Sequence, residues 1–169
     1  MNDFRISSFP PIVDDESKVL VLGTMPGAES LRQQRYYAFE RNQFWTVLFA
    51  LFDIARPDEY EKRVLFLLDK KIALWDVLDS CMRNGSADSK IRFPKPNSIP
   101  ELLERHPNIG AVFLNGKGAA ALFNKHVLQH IPNQLHIETL PSTSPAYTVA
   151  FEHKLDDWKK LSAFLSKSL

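Results

Sequence analysis

The sequence predicts an α/β protein, a three-layer α/β/α sandwich around a central four-stranded parallel sheet. Short apolar runs rich in leucine and β-branched residues recur at Val19–Leu22, Ile72–Leu78, Ala111–Leu114 and Leu135–Leu140. Each is too short for a helix, and Val19–Leu22 lacks polar alternation, the mark of a strand covered on both faces. Segments with helical spacing of apolar residues lie between them, so successive strands are joined by crossovers and run parallel.

Residues 1–17, with Pro10-Pro11 and the acidic Asp14-Asp15-Glu16, read as an N-terminal arm on a single domain spanning 1–169. The first strand stops at Gly23, and Pro26-Gly27 forces a turn into a helix that begins at Ala28-Glu29-Ser30-Leu31. Backbone N–H groups of such a turn point at whatever sits above the strand. The connection Arg35 to Trp45 then crowds aromatics, arginines and carboxamides together, the side chains that stack on bases, hold phosphates and read base edges. Phe44, Trp45, Val47, Leu48, Leu51 and Phe52 give the segment 42–52 a broad apolar helical face. Asn42 stands at its start, where an asparagine also serves as a cap.

Asp58 with Glu61 reads as an N-cap and its partner, opening a helix to Lys70 that buries Val64, Leu65, Leu67 and Leu68. After the second strand, Arg83 to Pro100 carries three prolines and no periodicity, and reads as a long loop, a kind that is usually either functional or disordered. Ser98 and Glu101 form a capping box for a helix ending near His106-Pro107. The third strand closes on Asn115-Gly116, a helix runs from Lys117 to His130, and the fourth strand exits through Pro141-Ser142-Thr143-Ser144-Pro145. The last helix buries Phe151, Leu155, Trp158, Leu161 and Leu165, with its Lys and Asp residues on the opposite side.

The chain has 169 residues, of which 44% are hydrophobic, and a formal net charge of +1. That length suits one core, and that charge excludes a general polyanion binder, so any grip on DNA needs a local basic surface. Arg32, Arg35 and Arg41 form one candidate patch, and Arg83, Lys90, Arg92 and Lys95 another. Nothing resembles a membrane span of about 18 apolar residues or a secretory signal, so a soluble, cytoplasmic protein is expected. The lone cysteine, Cys81, excludes a disulfide within the chain and reads as a core residue. The histidines at 106, 126, 130, 136 and 153 show no metal-ligand spacing. In an open parallel sheet ligands bind outside the carboxyl ends of the strands. Gly23-Thr24-Met25, Trp75-Asp76, Asn115-Gly116 and residues 140–145 all lie there.

Four stretches, GTMPGAESL at 23–31, RNQFW at 41–45, NG at 115–116 and LPSTSPA at 140–146, carry a resemblance. In order and spacing the chain is similar to the uracil-DNA glycosylase superfamily, most of all to its hypoxanthine (deoxyinosine) DNA glycosylase branch. The Gly85-Ser86 and Asp88-Ser89 pairs match as well. The resemblance implies a monomeric, monofunctional enzyme of base excision repair that flips a deaminated base from damaged DNA and hydrolyses its glycosidic bond. Hypoxanthine would come first and uracil second, with no metal and no other cofactor.

The same resemblance implies the site residues. Gly23, Thr24 and Met25 would wall the base pocket, Tyr36 and Phe39 would stack on the base, and Asn115 would read its edge. A carboxamide offers both donors and acceptors to the N1–H and O6 of hypoxanthine or the N3–H and O4 of uracil; Asn115-Gly116 also suits an ordinary strand-exit turn. Ser142, Thr143, Ser144 and Pro145, with Arg41, would hold the DNA backbone. Two departures bear on activity. The first turn lacks the Asp or Asn that orients water in many relatives, a role the resemblance passes to Asn42, and LPSTSPA lacks the histidine of strong uracil enzymes. A catalytically silent DNA-binding relative and a small-molecule or nucleotide-binding α/β protein therefore stand as alternatives.

Overall fold

The computed structural model describes residues 4–167. Four parallel strands, β2 (Val19–Gly23), β3 (Ile72–Asp76), β6 (Ala111–Asn115) and β7 (His136–Leu140), form one sheet in the order β3-β2-β6-β7. Alternation along the strands sends side chains to two cores. Val19, Val21, Ile72, Leu74, Ala111 and Phe113 face the helices α2 (Phe44–Leu51), α3 (Tyr60–Asp69) and α6 (Phe151–Lys167), meeting Phe44, Trp45, Leu48, Leu67, Trp158 and Leu161. Leu20, Leu22, Ala73, Trp75, Val112 and Leu114 face α4 (Ile99–Arg105) and α5 (Lys117–His126), meeting Leu102, Leu103, Ala119 and Phe123. With helices on both faces, the central strands have no water-facing side, which is why they read as unbroken apolar runs.

A second sheet, absent from the sequence-based expectation, makes the architecture mixed. Strands β1 (Arg5–Ser7), β4 (Leu78–Met82) and β5 (Arg92–Pro96) pair antiparallel in the order β1-β4-β5. The arm thus carries a strand, tied down by Arg5, which donates to Ser80 Oγ and to the Phe93 carbonyl, each at 2.8 Å. The expected loop from Arg83 to Pro100 contains β5, whose Pro94 and Pro96 hide it from strand pattern reading. An edge strand has one side free of ladder bonds, so prolines fit there. Its register slips against β4 between Ser80 and Met82, and Phe93 takes φ +51° at the irregularity.

Several helix starts also differ from expectation. The N-cap of α3 is Glu59, not Asp58, and no side chain bonds the first turn. Val64, Leu67 and Leu68 share one stripe at steps of three and four, while Leu65 lies about 100° round the helix from Val64; it points outward, 65% exposed, whereas Leu67 is fully buried. Ser98 does cap α4 by position, but its hydroxyl makes no capping bond, so the expected capping box is not formed. Helix α5 ends at His126, and a 3₁₀ turn, Leu128–His130, follows. On α6 the outward face is not uniformly charged: Lys154 is buried.

The buried face of α3 makes a direct prediction. Leu67→Ala should cost about 2–5 kcal/mol in urea unfolding, as a buried leucine truncation does. Leu65→Gln should change stability by no more than about 0.5 kcal/mol, as an exposed substitution does. Equal losses would place Leu65 in the core.

Candidate active site

A cavity of about 940 Å³ opens at the carboxyl ends of the parallel strands. Its walls are the turn Gly23–Gly27, Asp76 at the end of β3, Asn115 at the end of β6, the segments Ser86–Ser89 and Ser142–Tyr147, and the connection around Tyr37, Phe39 and Asn42. This size is that of a small-molecule or nucleotide pocket.

The most unusual group in it is Asp76, which closes an otherwise apolar strand. It is 4% exposed, and its Oδ2 bonds nothing among the described residues. Burial pushes its pKa up to about 7; the charge of Asp88 acts the same way and Arg83 opposes both. Its neighbour in the parallel register is Gly23. A Cβ at Gly23 would sit 2.5 Å from Asp76 Oδ1 and 2.8 Å from the Tyr37 hydroxyl, so only glycine lets these two polar groups converge. The Asp76 backbone is held as firmly: Asn97 Nδ2 donates to the carbonyls of Asp76 (2.9 Å) and Leu78 (3.0 Å). Tyr37 itself takes φ +51° and stacks on Phe44 at 4.1 Å. Burial keeps its phenol protonated, raising its pKa well above the usual tyrosine value.

Asn115, expected to read the base edge, is hydrogen-bonded within the protein. Its Nδ2 donates to the Tyr37 hydroxyl and to Thr143 Oγ1, both at 3.0 Å, and its Oδ1 accepts the Thr143 N–H at 3.0 Å. Both amide hydrogens are thus spent within the protein, and no donor remains for a base edge. In this arrangement the side chain staples the 141–145 segment to the sheet. Gly116 assists at φ +96°, where a Cβ would meet Ser142 Cβ at 2.9 Å.

Thr143, expected on the DNA backbone, is fully buried by this staple, and its carbonyl accepts the Gln43 N–H at 3.0 Å. Ser142 Oγ and Ser144 Oγ accept the N–H groups of Ser144 (3.1 Å) and Ala146 (3.2 Å), which leaves each hydroxyl proton free to be aimed outward. Pro145 lies on the same wall. Beneath this segment Lys154, 1% exposed, donates to the Ser144 carbonyl at 3.4 Å and stands over the Tyr147 ring. Burial lowers its pKa.

The other expected residues are divided. Thr24 and Met25 are buried in the turn, where the Thr24 hydroxyl bonds Asp88. The turn's expected anion cradle is partly closed, since the Ala28 N–H donates to Ser86 Oγ at 2.9 Å. Phe39 is exposed at the cavity rim. Tyr36 reaches the wall from the core; its hydroxyl donates to the Pro10 carbonyl at 2.7 Å and its ring meets Phe9 edge to face. The cavity-side phenol is that of Tyr37, the neighbour the sequence reading passed over. Asn42 faces the cavity, and its Oδ1 accepts the Phe44 N–H at 2.9 Å, so it also caps α2. Arg41 is exposed beside it. Arg83 leaves the second basic patch: it is buried and donates to the carbonyls of Pro26 (2.6 Å) and Gly85 (2.9 Å). Arg32 is paired with Glu29.

Among the described residues no group of three His, Cys, Asp or Glu side chains is placed to hold a metal, and no helix is long and apolar enough to cross a membrane.

The model of the Uracil DNA glycosylase superfamily matches residues 10–166. The chain belongs to the uracil-DNA glycosylase superfamily. Among curated superfamily relatives it is 31% identical to a hypoxanthine DNA glycosylase of Methanosarcina acetivorans over 152 residues, 89% of this chain and 94% of that one. With the hypoxanthine DNA glycosylase of Methanosarcina barkeri it shares 36% identity over 110 residues, 64% of this chain and 70% of the relative. The solution NMR structure of a candidate uracil DNA glycosylase from M. acetivorans superposes with a TM-score of 0.83 at 28% identity, covering 96% of this chain and 99% of that one.

Asp76 gives a stability prediction whose sign is fixed. Its folded pKa lies above the ordinary carboxylate value of 3.8, so its contribution is fully favourable below about pH 4 and is lost as pH rises through about 7. A shift of that size corresponds to a loss on the order of 4 kcal/mol by pH 8. Asp76→Asn should flatten this dependence and be the more stable protein at pH 8 in urea unfolding. A variant with unchanged pH dependence would show that Asp76 ionises freely in the fold.

Proposed function

We propose that this superfamily member is a DNA repair glycosylase that flips a deaminated base into the strand-end cavity and hydrolyses its N-glycosidic bond, hypoxanthine first and uracil second. The observation that carries the reading is the buried, unpartnered Asp76 carboxyl facing a cavity of nucleotide size. A neutral carboxyl presents one O–H donor beside one acceptor, which complements O6 and N1–H of hypoxanthine as a pair. The same pair fits O4 and N3–H of uracil. Two relatives named for hypoxanthine support the order of preference.

Chemistry then follows from what the cavity offers. Flipping places the base edge against Asp76 and its face near Phe39. The Tyr37 phenol, whose oxygen already accepts from Asn115, keeps its own proton for the polar floor of the cavity. As the glycosidic bond lengthens, the sugar gains positive character and the base negative charge; the Asp76 O–H aimed at O6 stabilises that charge. Water attacks the anomeric carbon, the bond to the base breaks, and the water's proton leaves to solvent or the departing base. Asn42 orients that water. Its carboxamide is fixed by the Phe44 N–H and cannot take a proton, so positioning is its whole contribution and turnover is modest.

Met25 in the first turn favours one second reading, a silent DNA-binding relative, because a thioether activates no water. Incubating the protein with oligonucleotides that carry single hypoxanthine, uracil or xanthine residues separates the two. The glycosylase leaves abasic sites, fastest at hypoxanthine, whereas the silent relative binds and leaves every base in place.

Asn42→Ala should lose about 10²–10³ in single-turnover rate while retaining DNA affinity. It should also lose about 0.5–2 kcal/mol of stability with the α2 cap. Asn42→Asp should keep the cap and retain or raise the rate. Wild-type excision by Asn42→Ala, combined with earlier melting, would reduce Asn42 to a cap.

A further inference from the structure

Behind Phe39 and Asn42 lies a second cavity, of about 430 Å³, that shares Tyr36, Tyr37, Phe39 and Asn42 with the first. Its far wall carries Arg35, Arg56 and Arg63, contributed by three separate stretches of chain. Each guanidinium is held in place mostly by groups that leave its charge intact. Arg63 donates to the carbonyls of Pro57 (2.8 Å) and Asp58 (3.3 Å), and Arg56 to the Thr46 hydroxyl at 3.3 Å. Arg35 lies over the Tyr60 ring, 5.3 Å from its centre. The acids at hand are Asp58 and Glu40 on the wall and Glu61, well exposed and 3.8 Å from Arg35. The arginines sense one another: the pKa of Arg63 is lowered first by burial and then by Arg56, with Asp58 opposing and Arg35 adding to the effect. Three prearranged guanidiniums around a concave polar surface are an anion site, because a planar fork of N–H donors matches phosphate oxygens.

We propose that this arginine cavity binds a backbone phosphate of the DNA strand that carries the flipped nucleotide. The inference rests on the glycosylase reading above, since it takes the strand to run over the Phe39–Asn42 ridge between the two cavities. A phosphate gripped on the far side of that ridge would fix the sugar relative to Asn42 and its water. The site contributes binding and register, and the reacting atoms remain in the first cavity.

The test uses a duplex oligonucleotide carrying one deoxyinosine, with affinity read by fluorescence anisotropy across a salt series. Arg35→Gln/Arg56→Gln is the variant of choice, because both residues are exposed and Arg63, which braces the Pro57–Asp58 turn, stays in place. Each lost phosphate contact lowers the slope of log K against log salt by about 0.9. The double variant should therefore lose about 1–2 from the slope and roughly tenfold in affinity at moderate salt. Its melting temperature should match wild type. Lys159→Gln/Lys160→Gln on the outer face of α6 removes the same charge and should leave the slope unchanged. A wild-type slope retained by the arginine variant, or an equal drop in the lysine variant, overturns the phosphate site while leaving the glycosylase reading intact. No salt-dependent binding by the wild-type protein overturns the glycosylase reading as well.

Discussion

A carboxyl group held out of water between two parallel strands organises the functional end of this molecule. Asp76 and Gly23 are register partners on β3 and β2, and the absence of a Cβ at Gly23 is what lets the Asp76 carboxyl and the Tyr37 phenol share the space above the sheet. Burying an ionisable group without a partner is costly, and the group responds by holding its proton to higher pH. A carboxyl that is half neutral near pH 7 can donate as well as accept. The structure bears the instability of this arrangement at the place where a ligand would relieve it.

Rigidity around Asp76 is supplied by carboxamides. Asn97 clamps the passage from β3 to β4, and Asn115 clamps the 141–145 segment to Tyr37 and the sheet edge. The two side chains use hydrogen bonds that water would otherwise contest, and each joins segments distant in sequence. Lys154 sits beneath the second clamp with a carbonyl and an aromatic face as its company.

Much of this was legible in the sequence, and the reasons for success and failure are physical. Strands β2, β3 and β6 announce themselves because strands covered on both faces need uninterrupted apolar runs, a local signal, whereas β7 at the sheet edge interleaves His136, Glu138 and Thr139 with apolar residues. The site's location follows from strand direction alone. The second sheet is illegible because its pairing is non-local and its edge strand contains Pro94 and Pro96. The α3 cap fails because Asp58 and Glu59 are both plausible starts, and Leu65 is misplaced because it stands about 100° round the helix from the Val64, Leu67 and Leu68 stripe. Asn115 is visible as a motif, but its partner Thr143 lies far along the chain, so its role as a staple emerges only in three dimensions. Asp76 carries a signal that sequence reading can use, a lone acid ending an apolar strand at the ligand side of the sheet. Tyr37 carries none, since its neighbour Tyr36 is chemically identical and only the backbone at φ +51° decides which phenol faces the cavity.

The decisive measurement is the pH profile of hypoxanthine excision, in single turnover, for the wild-type protein and Asp76→Asn. An amide at this position still offers a donor to O6 and an acceptor to N1–H but does not ionise. Wild-type activity should fall as pH rises through about 7, where Asp76 loses its proton, while Asp76→Asn should keep its rate to pH 8 and beyond. Superimposable profiles for the two proteins would contradict the assignment of Asp76 as the group that reads the base.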